Sequence, residues 1–176
     1  MGAASVAGRS GGARRVGAIV SDWPGLAEAL APLLTVAEAS ADGPLDALVV
    51  SAPHAPLAFN EVNADNWADR LSAEFEEVFQ VLRSGLPRLS ASGSVVVIAP
   101  PAEAHEALDA RRQGLRLLVR AAALELGPEG VRVNLILPAA DATAEDVAAA
   151  VDFAASPRAA FMTGADIPVG APERGR

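Results

Sequence analysis

The feature that most constrains this chain is the alternation of short, almost wholly apolar runs with longer stretches of helical periodicity. RVGAIVSD (15–22), LDALVVSA (45–52), GSVVVIA (93–99), VRVNLIL (131–137) and a last short run at 165–169 are the apolar runs. A strand with one solvated face alternates apolar and polar residues. Unbroken apolar runs need cover on both faces, and a parallel sheet flanked by helices provides it. Between them lie the helical stretches. Pro24 suits a first helical turn, and Leu26, Leu30, Leu33 and Leu34 follow at helical spacing. A long amphipathic helix over about 66–89 carries Trp67, Leu71, Phe75, Val78, Phe79 and Leu82. Another, over about 103–126, carries Leu108, Leu115, Leu118 and Ala122 and ends at Gly127 and Pro128. A last helix is expected over 144–155.

This pattern predicts one α/β domain over 15–170, a parallel sheet of about five strands with helices on both faces. Residues 1–14, rich in Gly, Ala, Ser and Arg, read as a flexible lead-in, and 171–176 as a tail.

Composition removes several chemistries. Cys and Tyr are absent, and all 14 basic residues are Arg. No thiolate nucleophile, Cys-bound zinc, phenolic acid or lysine Schiff base can therefore exist. Twenty-two acidic residues against those 14 leave a charge of −8, which argues against nucleic acid as a partner. No apolar run of about 18 residues suggests a membrane span. The N-terminus has no apolar core of a secretory signal, so a cytoplasmic location is expected.

From 45 to 170 the motifs resemble those of the short-chain dehydrogenase/reductases. LDALVVSAP is similar to the family's iDvLVnNAG strand, and NADNWADRL to the opening of its fourth helix. GSVVVIA resembles the strand that ends in the catalytic serine. RAAALELGPEGVRVNLILP follows the pattern R-x-L-A-x-E-L-g-p-x-g-I-R-V-N-x-I-x-P, and TAEDVAAAVDFAASPRAAFMTGADIPVG resembles the family's tail. The resemblance implies a Rossmann-like, doubly wound fold.

Carried over residue by residue, the resemblance implies degenerate catalytic positions. The family's tyrosine falls at Leu108 and its lysine at Arg112. The serine falls at Ala99 or Pro100, and the asparagine near Glu74. In the N-N-A-G stretch the asparagines become Val50 and Ser51 and the glycine Pro53. Hydride transfer in this family needs a phenol to exchange the carbonyl proton, helped by an adjacent ammonium. Leucine has no proton to give, and arginine, with a pKa above about 12, is a poor proton shuttle. Haloalcohol dehalogenases, a branch with arginine in place of that lysine, keep the tyrosine and serine that this chain lacks.

The cofactor turn is altered as well. Where the family has T-G-x-x-x-G-x-G, this chain reads Ser21, Asp22, Trp23, Pro24, Gly25, so only Gly25 remains. Asp22 adds negative charge and Trp23 bulk where a pyrophosphate would lie. The chain passes from its first helix almost directly to LDALVVSAP, so the resemblance implies that about two strands and a helix of the adenosine-binding half are missing. No cofactor and no metal are expected, and the 15–22 strand is expected on an unprotected sheet edge.

His54, His105, Asp22, Glu74 and Arg112 are candidates for a residual cleft. The two histidines lack metal-ligand spacing, and their plainer reading is exposed loop residues. Arg112 reads more plainly as a solvated or interface arginine among Arg111, Arg116 and Arg120, and Glu74 as a surface or interface carboxylate. Pro24 and Gly25 read as helix-start residues. Trp67, Leu71, Phe75, Phe79, Leu115, Leu118 and Ala122 are expected in the core or at a subunit interface, because the family associates through these two helices. The leading expectation is a non-catalytic subunit that pairs with an active paralogue or with itself. The alternatives are a small cofactor-independent lyase, isomerase or cyclase that reuses the cleft, and a conventional NAD(P)-dependent oxidoreductase.

Overall fold

The computed structural model describes residues 16–37, 43–53, 63, 65–102 and 106–170. Six parallel strands form one sheet: β1 (Val16–Val20), β2 (Thr35–Ala37), β3 (Leu45–Ser51), β4 (Leu89–Ile98), β5 (Arg132–Pro138) and β6 (Asp166–Val169), in the order β2-β1-β3-β4-β5-β6. All neighbours pair in parallel. Four helices connect them: α1 (Leu26–Leu30), α2 (Trp67–Gly85), α3 (Glu106–Leu126) and α4 (Ala144–Ala155).

The double-sided cover expected from the apolar runs is present, and each run supplies both faces by simple alternation. Leu48, Val50, Val95, Val97, Val133 and Leu135 pack towards Val78 and Leu82 of α2 and Leu115 and Val119 of α3. Ala47, Val49, Val96, Ile98 and Ile136 face the other way, towards Leu26 and Leu30 of α1 and Val147 and Val151 of α4. Val95, Val96, Val97 and Ile98 are inaccessible to solvent. At roughly 1.5–3 kcal/mol for each fully buried side chain of this kind, these central strands dominate the stability.

The structure corrects the expected edge. The five expected strands are joined by β2, whose three residues pair with Val16, Gly17 and Ala18 of β1. The strand at 15–22 is therefore not an edge, and one of the two strands taken as missing is present beside it. The edges are β2 and β6, and Pro168 in β6 lacks an N–H to offer another chain. β4 also begins at Leu89, four residues earlier than its apolar core suggests.

Between α2 and α3 the approach is close enough to demand glycine. A Cβ on Gly114 would run into the ring of Phe75 on α2. In an exposed helix, Gly→Ala gains roughly 0.8–1 kcal/mol, but overpacking a tight contact costs about 1–3 kcal/mol. The packing cost should win, so Gly114→Ala is expected to lower the urea midpoint.

α4 starts with a reciprocal cap. The Thr143 hydroxyl accepts the Asp146 N–H at 3.2 Å, and the Asp146 carboxylate accepts the Thr143 N–H at 3.2 Å and its hydroxyl at 2.8 Å. These two bonds, the hydroxyl's first, hold the Asp146 carboxyl below its ordinary value of 3.8. A carboxyl depressed in the folded state stabilises above its unfolded pKa and loses that contribution as pH falls through the folded value. Asp146→Asn is thus expected to lower Tm near neutral pH and to leave a smaller difference from wild type at the acid end of a Tm-against-pH series.

Candidate functional site

In an open parallel sheet, the crevice for a ligand lies beyond the carboxyl ends of the strands where the winding reverses. Here that is the gap between β1 and β3, since β2 lies on one side of β1 and β3 on the other. The turn leaving β1 is Ser21-Asp22-Trp23-Pro24-Gly25, and it closes on itself through side chains. The Ser21 hydroxyl accepts the Trp23 N–H at 3.1 Å. Ser51, at the end of β3, accepts the Asp22 N–H at 3.3 Å and donates its own hydroxyl to the Asp22 carboxylate at 3.1 Å.

A phosphate-binding turn needs free backbone N–H groups aimed at the ligand and no adjacent negative charge. At Asp22 and Trp23 both N–H groups are used by hydroxyls, and Asp22 brings a carboxylate. Gly25 has φ 76° and caps a helix of only five residues, so its place at a helix start agrees with the plainer reading. The pairing of Asp22 with Ser51 links positions 29 apart in sequence, which no local pattern reveals.

Across the crevice, Arg112 departs from the surface reading. It is 7% exposed, and its Nη1 donates to the carbonyl oxygens of Pro138 at 3.1 Å and Pro100 at 3.5 Å. Arg112 thus ties the ends of β4 and β5 together. Arg111, expected to be one of its solvated neighbours, is also buried. Ala99 and Pro100 are buried at the end of β4, and the Ala99 N–H continues the ladder to Ile136. Leu108 lies on α3 one turn before Arg112, and Glu74 lies on α2; their side chains, with those of Trp67 and Leu71, fall outside the described residues, as do His54 and His105.

The expected interface stripe is divided. Leu115 is fully buried against the sheet, so it faces no partner, and Leu118, Ala122 and Phe75 pack half-buried on the same core. The sheet has taken the stripe that the helical spacing marks most strongly. Phe79 is 51% exposed, and α3 points Leu117 (68% exposed) and Leu124 (82%) outwards. These two leucines, seven residues apart with exposed Ala121 between them, were not picked out by the reading of the sequence.

Sequence reasoning also passed over the clamps beneath β5 and β6. Buried Asn134 donates to the Met162 carbonyl at 2.9 Å and accepts the Ala165 N–H at 3.1 Å. Arg132 donates to the carbonyls of Ala154 at 2.6 Å and Ala159 at 3.1 Å, placing a cation at the C-terminus of α4. Asp166 accepts from Arg116 at 3.0 Å and Arg120 at 3.4 Å, fastening β6 to α3. The R-V-N motif, together with the aspartate of the tail, thus has structural work at the amino ends of the strands.

A family model described as enoyl-(acyl carrier protein) reductase matches residues 27–143, about two thirds of the chain. The chain belongs to the short-chain dehydrogenase/reductase family. It is 25% identical over 146 residues to 2,5-dichloro-2,5-cyclohexadiene-1,4-diol dehydrogenase LinX of Sphingobium indicum, a match covering 65% of this chain and 58% of that protein. The chain therefore spans less than two thirds of that curated relative. Solved structures of similar fold include a short-chain dehydrogenase/reductase from Brucella melitensis, with TM-score 0.70, 21% identity and coverage of 88% of this chain and 94% of that one. A short-chain oxidoreductase from Pseudomonas aeruginosa, described as containing an atypical catalytic center, matches with TM-score 0.66 and 23% identity, over 91% of this chain and 88% of that one. At these identities the likeness is one of fold. Among the described residues, no helix is long and apolar enough to cross a membrane.

Arg112 supplies the test of this site. Arg112→Met removes the donor shared by the Pro100 and Pro138 carbonyls; Pro138 keeps the Ala102 N–H at 2.9 Å, so the expected cost is that of about one unsatisfied buried group, about 1–3 kcal/mol. Thermal unfolding should show a clear fall in Tm for Arg112→Met and a smaller one for Arg112→Lys, whose ammonium can reach one carbonyl. Equal stability in all three proteins would show that the buried guanidinium does not hold the strand ends.

Proposed function

We propose that this chain is a non-catalytic subunit of short-chain dehydrogenase/reductase fold, working in the cytoplasm and docking through α2 and α3 onto a second copy or an active family member. The observation that carries this reading is the outward row on α3, Leu117, Ala121 and Leu124, together with exposed Phe79 on α2. Single exposed apolar residues are ordinary on a surface, but leucines at a seven-residue interval form the seam with which one helix packs on another.

The positions that carry chemistry in the family support the other half of the reading. At the proton-donor position stands Leu108, and the serine position is Ala99 or Pro100. Arg112 is engaged with two main-chain carbonyls. The turn after β1 presents Asp22 where a dinucleotide brings its phosphates, and like charges at short range repel. The dehydrogenase activity in the name of LinX is accordingly not carried over to this chain.

Sedimentation of the purified full chain, alone and mixed with an active family member co-expressed with it, tests the proposal. Leu117→Glu with Leu124→Glu should convert the oligomer into separate chains while leaving the urea midpoint of the fold within about 0.5 kcal/mol, as surface changes do. Titration with NADH or NADPH should give no binding heat at millimolar cofactor. A lone monomer that binds either cofactor with Kd tighter than about 0.1 mM, or oxidises it against a ketone, would overturn the reading.

A further inference from the structure

Phe161 stands wholly outside the fold, at 104% exposure, the highest of the large apolar side chains among the described residues. Its backbone, by contrast, is fixed on both sides. The Ala160 N–H donates to the Pro157 carbonyl at 3.1 Å, the Met162 N–H to the Ala159 carbonyl at 2.9 Å and the Gly164 N–H to the Val133 carbonyl at 2.7 Å. The Asn134 amide holds the Met162 carbonyl at 2.9 Å, and the Thr163 hydroxyl accepts the Val133 N–H at 3.1 Å. A ring displayed on so fixed a turn is already ordered for contact, and a partner that covers it loses little to ordering the segment.

This turn abuts α3. A Cβ on Gly164 would lie 3.4 Å from Cβ of Ala123 and 4.0 Å from Cγ of Arg120. Leu124 follows Ala123 in the chain, so Phe161 extends the exposed row of Leu117 and Leu124 beyond the helix. The same edge of α3 is positive. Arg116 and Arg120 share one carboxylate oxygen of Asp166, at 3.0 and 3.4 Å, which sets two positive charges against one negative in a chain whose total is −8. If α3 packed antiparallel on its own copy about a two-fold axis, each edge would meet the same edge of the copy, arginines against arginines. A partner that brings carboxylates to this edge replaces that repulsion with attraction.

We propose that Phe161 and the Leu117–Leu124 row form one docking surface, and that its occupant is a different protein whose apolar contact strip is edged with Asp or Glu. This rests on the docking face proposed above and chooses between the two partners named there. Phe161 is the anchor of the contact, and Arg116 and Arg120 select the partner.

Arg120→Glu supplies a partner of that chemistry, because it keeps the apolar surface and reverses the edge while Arg116 still holds Asp166. Sedimentation of the full wild-type chain mixed with Arg120→Glu, at about 50 mM salt, should give a mixed pair with Kd at least about tenfold lower than that of either protein alone, and about 0.5 M salt should remove the difference. Phe161→Ser in the wild-type partner should weaken the mixed pair at least about tenfold while leaving the urea midpoint unchanged, as a side chain outside the fold allows. Wild-type self-association as tight as the mixed pair would overturn this inference and leave the docking face standing; failure of every mixture to associate would overturn both. Unchanged affinity for Phe161→Ser would also overturn it. So would flotation of the wild-type chain with phosphatidylglycerol vesicles that Phe161→Ser abolishes, which would assign the patch to a lipid surface.

Discussion

Burial of both faces of β3, β4 and β5 governs the rest of this molecule. Ala47 to Val50 and Val95 to Ile98 meet a helix layer whichever way they point, so the middle of the sheet has little room for chemistry. Polar groups are pushed to the strand ends, where chain turns leave backbone groups that must find partners. The carboxyl ends acquire the Asp22–Ser51 pair and the Arg112 guanidinium; the amino ends acquire the Asn134 and Arg132 clamps. The two sets have different consequences. The second reproduces the R-V-N motif of the family and fixes the loop into β6. The first stands at the crevice beyond the carboxyl ends and uses its donors on the protein itself.

That contrast explains how a chain can remain in the family while its site changes. The sheet and the clamps depend on apolar volume and on main-chain hydrogen bonds, which tolerate broad substitution provided that packing and pairing persist. Proton transfer and phosphate binding depend on particular atoms at particular points, so a substitution at a position such as 108 or 22 can alter the site without disturbing a strand. Arg112 shows the conversion at one residue: its positive charge is kept, but its hydrogens face Pro100 and Pro138.

Much of the fold was legible. The runs of β3, β4 and β5 could not be half-exposed strands, and the helix expected over 144–155 has the bounds of α4. What escaped was short or non-local. β2 has three residues, too few for a periodicity, and it exists because β1 offers it a free edge. On α3, two apolar rows share one helix; spacing marks both, but only the sheet decides that Leu115 is inside and Leu117 outside. Asp22 and Ser51 meet because β1 and β3 are neighbours with aligned ends, a relation invisible in a stretch of residues.

By itself, then, the sequence determined the parallel α/β class, the positions of the long helices and the loss of phenol, thiol and amine, because each follows from local pattern or from which side chains are present. Tertiary structure alone decided which of the remaining polar groups are available. A guanidinium reads as solvated in one dimension; it became a buried strap because two strand ends from distant parts of the chain converge on it and turn their carbonyls towards its hydrogens.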